Sequence, residues 1–451
     1  MKNLLITISI ICAKLVAILS KLTGHKSSSL PGIIARIIYP NILIHLGSQI
    51  KKEVIIVTGT NGKTTTNNMI RDILKCDKQT VVCNDVGANM LNGVTTAFVK
   101  TSSNTGVLSA DYACIEVDEA SLKIIVDELK PNKIIVTNLF RDQLDRYGEI
   151  DITIKQINIA LNKLNCEFEL ILNSDDPLTA QFGANHKFKT TYYGIIDKFE
   201  NTCEESREGR FCTFCGEELI YNYYYYSQLG SYYCLQCGFK RPNPNIGAKN
   251  ISILDTISMD LVFNDNIEPI TINYTGFYNI YNALSAISAC IDISPINSIK
   301  QALANYKPQI GRMERFNIGL PIILNLSKNP AGFNQGINTV VNDIHQKNVL
   351  IIINDNAQDG RDISWLWDCD FENLSCNSIN NYYVSGIRKE DMSVRLKYAG
   401  IPDDRIFIED DIRKAILSLI DDDIEIGYIL VNYTALFETQ NILKDFEVVY
   451  K

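Results

Sequence analysis

The chain has 451 residues, 46% of them hydrophobic and 21% charged, with a formal net charge of -9. That length predicts two or three domains with sizeable cores, and the composition excludes wholesale disorder. The acidic surplus argues against broad capture of nucleic acid, which needs a basic face. Thirteen cysteines without framework spacing argue against a secreted disulfide scaffold and fit a reducing cytoplasm.

Residues 1–50 are expected to form an N-terminal helical segment. The apolar run Leu4 to Ala13 resembles the core of a signal peptide. Lys14 interrupts it, so no uninterrupted span of about 18 apolar residues is expected, and no clean cleavage site follows. The expectation is an amphipathic helix docked on the protein. A membrane-surface helix and a cleaved signal are the alternatives.

From residue 51 the pattern alternates. The strand EVIIVTGT (53–60) enters a glycine turn and then the helical stretch KTTTNNMIRDILK. YACIEVDE, KIIVTNL and FELILNSDD are further strand-like runs with helical segments between them. This alternation predicts an α/β fold with a doubly wound, mostly parallel sheet over 51–317. The pattern breaks near 200, where a tyrosine- and cysteine-rich stretch of about 203–244 intervenes. Helical pattern returns with YNALSAISACI. Fresh strands in LPIILNL, NVLIIIND (348–355), NYYVSGI and IGYILVNY predict a smaller, Rossmann-like α/β domain over 318–451.

The first site is the loop Gly59, Thr60, Asn61, Gly62, Lys63, Thr64 and Thr65. It follows a strand and opens a helix, the context a phosphate-binding loop needs. Its glycines let backbone N–H groups turn onto phosphate oxygens. Lys63 neutralises terminal phosphates, and Thr64 is placed to hold Mg2+. The usual spacing would require a glycine at position 57, which is Val57.

The second site is the pair of knuckles Cys212-x-x-Cys215 and Cys234-x-x-Cys237, separated by 18 residues. This is the spacing of a structural four-thiolate zinc ribbon. Cys203 is a bystander in this reading. The tyrosines between the knuckles are expected to pack in the ribbon; a base-stacking platform is the alternative.

The shortened loop GTNGKTT resembles that of the Mur ligase superfamily, which forms amides at the expense of ATP. Five further segments extend the resemblance in the same order. In IEVDEAS (115–121), Glu116 stands where the family's magnesium-binding glutamate stands. TNLFRDQLDRYG (137–148) resembles a family segment in which Gln143 replaces a histidine, leaving a second metal site open. LNSDDP (172–177) matches a family turn. In GFYNIYNALSA (276–286), Asn279 and Asn282 stand where the family meets adenine, with Tyr278 in place of a histidine. In GRMERF (311–316), Arg312 is implied to reach ATP phosphate from the second domain. A phosphate cradle, a Mg2+ carboxylate and an arginine suit γ-phosphoryl transfer. The resemblance implies a carboxylate acceptor, an acyl phosphate and attack by an amine.

The inserted ribbon narrows the resemblance to the synthetase subunits of lipid II isoglutaminyl synthase, which amidate the D-glutamate α-carboxylate of lipid II. NLSKNPAGFNQ (325–335) carries Asn325 and Lys328 where amino-acid-adding ligases have Asp and His. NDNAQDGRDISWLWDCDFE (354–372) resembles a signature loop of these subunits. The resemblance implies a glutaminase partner, a GatD-like class I glutamine amidotransferase, whose catalytic triad receives an acid from this loop. Asp359 is assigned that role by position, with Asp362 and Asp355 behind it; a turn or helix cap is the alternative for each. The four histidines, His25, His45, His186 and His345, lie in no glutaminase motif. Expected cofactors are ATP, Mg2+ and structural Zn2+. The expected location is the cytoplasm, with at most peripheral association at the inner membrane face. The rival functions are an amino-acid-adding Mur or folylpolyglutamate-type ligase and a nucleotide-dependent, zinc-ribbon nucleic-acid binder.

Overall fold

The structure, a computed structural model, describes all residues except 1, 23–27, 85–86, 141–149, 185–186, 199–207, 255, 308–310, 312, 357, 421–423 and 450–451. The chain forms two compact units. The first holds Met1–Leu139 and Ile150–Tyr306, and the second holds Phe140–Glu149 and Lys307–Lys451.

The first unit contains β1 (Glu53–Thr58), β2 (Val81–Cys83), β3 (Tyr112–Glu116), β4 (Lys133–Val136), β5 (Glu169–Asn173), β6 (Lys189–Ile195), β7 (Ile220–Tyr226), β8 (Leu229–Tyr233), β9 (Ile246–Ile253), β10 (Ile257–Phe263) and β11 (Asn266–Ile272). Nine of them make one sheet in the order β11-β10-β9-β6-β5-β4-β1-β3-β2. From β2 to β9 the neighbours are parallel, and β9, β10 and β11 are antiparallel. The interior strands β3, β4 and β5 are buried along their whole length. That is why their sequences are continuous apolar runs rather than alternating ones: helices cover both faces. The antiparallel extension at 246–272 has no counterpart in the sequence reading. Its strands are half-exposed and end the parallel pattern.

The N-terminal helix Lys2–Leu22 packs within this unit. Its buried residues Ile6, Ile10, Ala13 and Ala17 recur at helical spacing. Ser9 donates its hydroxyl to the carbonyl of Ala35, at 2.9 Å, which ties this helix to the next, Leu30–Ile38. Despite Lys14, Lys2–Ser20 is long and apolar enough to cross a membrane by length and composition. Lys14 bonds the carbonyl of Ser102 and, at 3.2 Å, Asn104, so its charge is accommodated within the unit.

The second unit's sheet holds β12 (Glu314–Asn317), β13 (Pro321–Leu326), β14 (Lys347–Ile352), β15 (Ile379–Ser385), β16 (Ile406–Ile408) and β17 (Ile426–Val431). Their order is β12-β13-β17-β14-β15-β16. All pairs are parallel except β12 with β13. Because β12 pairs with β13, the unit begins ahead of the 317/318 boundary drawn from the sequence.

Candidate functional site

β1 is flanked on one side by β3 and on the other by β4. Strand order reverses there, and α/β sheets bind ligands beyond the carboxyl ends of the strands at such a point. The loop 59–62 leaves β1 at its carboxyl end and enters the helix Lys63–Cys76. Gly59 and Gly62 have φ of 118° and 81°, values that glycine alone adopts without strain. A side chain at Gly62 would also place its Cβ 2.0 Å from Asn282 Oδ1.

The loop is held from the β4 side. Thr60 N–H donates to Asn138 O at 2.9 Å, and Asn61 N–H to Asn138 Oδ1 at 2.9 Å. Thr137 Oγ1 and Asn138 Nδ2 donate to Asn61 O at 2.8 and 3.0 Å. From the β3 side, Thr64 Oγ1 donates to Glu116 Oε2 at 2.7 Å. The other oxygen, Glu116 Oε1, accepts from Asn89 Nδ2 at 3.0 Å. Asn84 fixes the Glu116 backbone by accepting its N–H at 2.9 Å and donating to its carbonyl at 2.8 Å. A hydroxyl and a carboxylate so placed are hard oxygen donors fit to hold Mg2+ beside a phosphate.

Lys63 is buried. Its ammonium bonds the carbonyls of Gly59 and, at 3.2 Å, Thr60, and pairs with Glu119 Oε1 at 3.0 Å. Burial pushes the Glu119 carboxyl up from its ordinary range, and Lys63 pulls it back. The sequence reading assigned Glu116 but not Glu119, Asn84, Asn89 or Asn138. Glu119 lies within the quoted IEVDEAS segment, three residues past Glu116, so its signal was present.

Asn279 and Asn282 lie on the helix Tyr278–Cys290, buried and bonded to each other at 2.8 Å. Asn282 sits against Gly62, and the Asn282 carbonyl accepts from Thr66 Oγ1 at 3.4 Å. The structure therefore brings Asn282 to the phosphate loop. Gln143, Arg312 and Cys203 lie outside the described residues.

The four ribbon cysteines converge. Cys212 and Cys237 sulfurs are 3.5 Å apart, as are those of Cys215 and Cys234, and all four lie within 4.8 Å of one another. A tetrahedral Zn–S site has sulfur–sulfur edges of about 3.8 Å, so this donor set fits zinc. Each knuckle closes on a glycine of positive φ, Gly216 at 78° and Gly238 at 76°. The Gly216 N–H bonds Cys212 O at 2.9 Å, and the Gly238 N–H bonds Cys234 O at 3.1 Å. The tyrosines pack: Tyr221 stacks on Tyr224 at 4.2 Å, and Tyr226 lies 6.2 Å from Tyr281 on the Asn279 helix. Behind them Arg241 Nε reaches the fully buried Asp175 at 2.6 Å, and Tyr281 donates to the same carboxylate at 2.9 Å.

In the second unit, Asp359 is 4% exposed. Its Oδ1 accepts the Thr434 N–H at 2.8 Å and its Oδ2 the Thr434 hydroxyl, at the start of the helix Tyr433–Val449. Burial raises its carboxyl above the ordinary range. Asp355 pairs with Arg388 at 2.7 Å, and Asp362 accepts the Ser364 N–H at 2.8 Å. Asn325 is buried, 3.3 Å from Ser327 Oγ.

Comparison with known proteins agrees with this geometry. Residues 57–290 match the Mur ligase middle domain, and residues 326–436 match the MurT ligase C-terminal domain. A subunit named MurT of lipid II isoglutaminyl synthase (glutamine-hydrolyzing) from Staphylococcus aureus is 38% identical, over 91% of each chain. Its namesake from Streptococcus pneumoniae is 33% identical, over 94% of each. Among solved structures, a pseudomurein peptide ligase type C from Methanothermus fervidus superposes with a TM-score of 0.67 at 23% identity. It covers 89% of this chain and 80% of its own. MurF from Thermotoga maritima, in complex with ADP, gives 0.64 at 13%, covering 94% and 84%. Fold and family matches thus define a ligase of the Mur class, whose members use ATP and Mg2+. Within that class, the chain belongs to the MurT family.

Proposed function

We propose that this chain is the ATP-dependent synthetase subunit that amidates the D-glutamate α-carboxylate of lipid II to D-isoglutamine. The single observation that carries the class of chemistry is the loop at the switch point, with Lys63 in the loop and Glu116 on Thr64. The loop Gly59–Thr65 binds the nucleotide phosphates through backbone N–H groups at the helix start, from Gly62 to Thr65, while Asn138 holds the Thr60 and Asn61 N–H groups and so shapes the loop. Thr64 and Glu116 would hold Mg2+, which when bound would supply charge screening at the phosphates. Lys63 leaves its loop carbonyls for the γ-phosphate and stabilises negative charge there. Asn279 and Asn282 position the adenosine end. The acceptor carboxylate attacks the γ-phosphorus, ADP leaves, and ammonia displaces phosphate from the acyl phosphate to give the amide.

Ammonia comes from a glutaminase partner of the class I amidotransferase type. Asp359 supplies the carboxylate that orients the partner's histidine, with Asp362 and Asp355 as the alternatives. Zn2+ occupies the four-thiolate ribbon and has a structural role. The enzyme works in the cytoplasm, peripherally at the inner membrane face. The names borne by the relatives and the altered 325–328 segment support amidation over amino-acid addition.

The test supplies ATP, Mg2+ and lipid II with either ammonium or free amino acids and analyses the muropeptides. Isoglutamine formed with ammonium alone is the expected result. A stem peptide extended by an amino acid would assign the chain to the adding ligases instead.

A further inference from the structure

We propose that the outward face of the helix Lys2–Leu22 docks on an anionic lipid bilayer, lying in the plane of its surface. The inference rests on the functional reading only in supplying a reason: a lipid-linked acceptor is presented at that surface.

The helix is apolar on two opposite sides. One side is buried in the first unit through Ile6, Ile10, Ala13 and Ala17. The other carries Leu4, Ile8, Ile11, Leu15, Ile18 and Leu19, exposed by 64, 41, 39, 54, 56 and 60%. At 100° per residue these six fall in an arc about 100° wide, opposite the buried side, and run about 22 Å along the axis. Single exposed leucines are ordinary on soluble proteins; a continuous stripe of six marks an interaction face.

Charge selects the occupant. The first 52 residues contain seven lysines and arginines and no aspartate or glutamate. The other 399 residues hold 36 basic and all 52 acidic residues. Arg36 and Lys51 pair with Glu128 and Asp111 of the same unit, which leaves the segment basic. An acid-free, lysine-bearing helix with an aliphatic face has the composition of an interfacial anchor on anionic lipid. Two copies meeting on this face would bring like charges together. Because the opposite side is committed to the protein core, the helix is placed to lie on the bilayer rather than cross it.

The test sediments the full-length chain with vesicles of phosphatidylglycerol and phosphatidylcholine, or of phosphatidylcholine alone, at low and high salt. Binding to the anionic vesicles that weakens with salt is expected. The triple variant Leu4→Gln, Leu15→Gln, Leu19→Gln should lower that binding at least tenfold. Its thermal melting and its ammonium-driven turnover of a soluble, lipid-free muropeptide acceptor should match the unsubstituted protein. Equal vesicle binding by the variant would overturn the proposal. So would a concentration-dependent dimer that the variant abolishes without any vesicle binding, or a mature protein in cells lacking the helix. If vesicle binding behaves as expected but no acceptor is amidated, the docking face stands and the functional reading fails.

Discussion

Arg241 Nε lies 2.6 Å from Asp175 Oδ1, and Asp175 has no solvent exposure. The second carboxylate oxygen takes the Tyr281 hydroxyl at 2.9 Å and the Ile195 N–H at 2.9 Å. Arg241 follows the last ribbon cysteine, and Tyr281 sits between Asn279 and Asn282 on the helix Tyr278–Cys290. One buried carboxylate therefore joins the ribbon to the helix that borders the phosphate loop.

Arg241→Met should leave Asp175 buried without its counter-charge. Removing one partner of a buried pair costs about 3–5 kcal/mol. Denaturant unfolding should show a loss of that order, and KM for ATP should rise as the helix loses its tie. An unchanged midpoint and KM would mean the pair is dispensable.

Lys63→Ala should abolish amidation, but it also strands the buried Glu119. Pairing it with Glu119→Gln separates catalysis from folding. The single variant should lose about 1–3 kcal/mol, the desolvation cost of an unpartnered buried group. The double variant should regain most of that stability and no activity. Activity within a few-fold of wild type in either would remove Lys63 from the mechanism.

Purified protein should contain about one zinc per chain, and Cys212→Ser should lose it, because a four-thiolate site is completed by every ligand. Metal binding supplies local folding energy, so stability or solubility should fall with it. Elemental analysis finding neither zinc nor iron in carefully purified protein would refute the ribbon assignment.

Asp176 gives a pH signature. It accepts the N–H groups of Leu139 and Leu178, each at 3.0 Å, and full burial pushes its carboxyl up from 3.8 to about 7. The sign follows from linkage. Between about pH 4 and 7 the unfolded chain has released this proton while the folded chain retains it, so rising pH costs stability across that window. The whole effect is at most about 4 kcal/mol. Asp176→Asn removes the titration, so the variant should gain stability relative to wild type as pH rises from 4 to 7. A difference that is flat with pH would place the Asp176 carboxyl at its ordinary value.

The legible parts of the sequence were those where one local signal fixes the structure. The strand, glycine turn and helix at 53–76 were legible as one unit, and the two C-x-x-C pairs were legible as a four-cysteine cluster. The long buried strands of both units were visible as apolar runs. The residues missed act across the fold. Asn138 reaches the loop from beyond the end of β4, and Asn89 reaches the Glu116 carboxylate, and no spacing along the chain records either approach. Glu119 was passed over because its partner Lys63 is 56 residues away. Lys14 interrupts the apolar run as read from the sequence, while its partners, Ser102 and Asn104, lie far along the chain and left no signal there.

The most direct test is one amidation assay run with two nitrogen donors, glutamine in the presence of the glutaminase partner and ammonium chloride. Lys63→Ala should lose both reactions. Asp359→Asn should lose most of the glutamine-driven reaction, since the analogous change in an autonomous triad costs about four orders of magnitude. It should keep the ammonium-driven reaction, because the phosphate loop and Glu116 are untouched. Equal loss with both donors in Asp359→Asn would return Asp359 to the role of a cap on Thr434. Amidation surviving in Lys63→Ala would contradict the account at its centre.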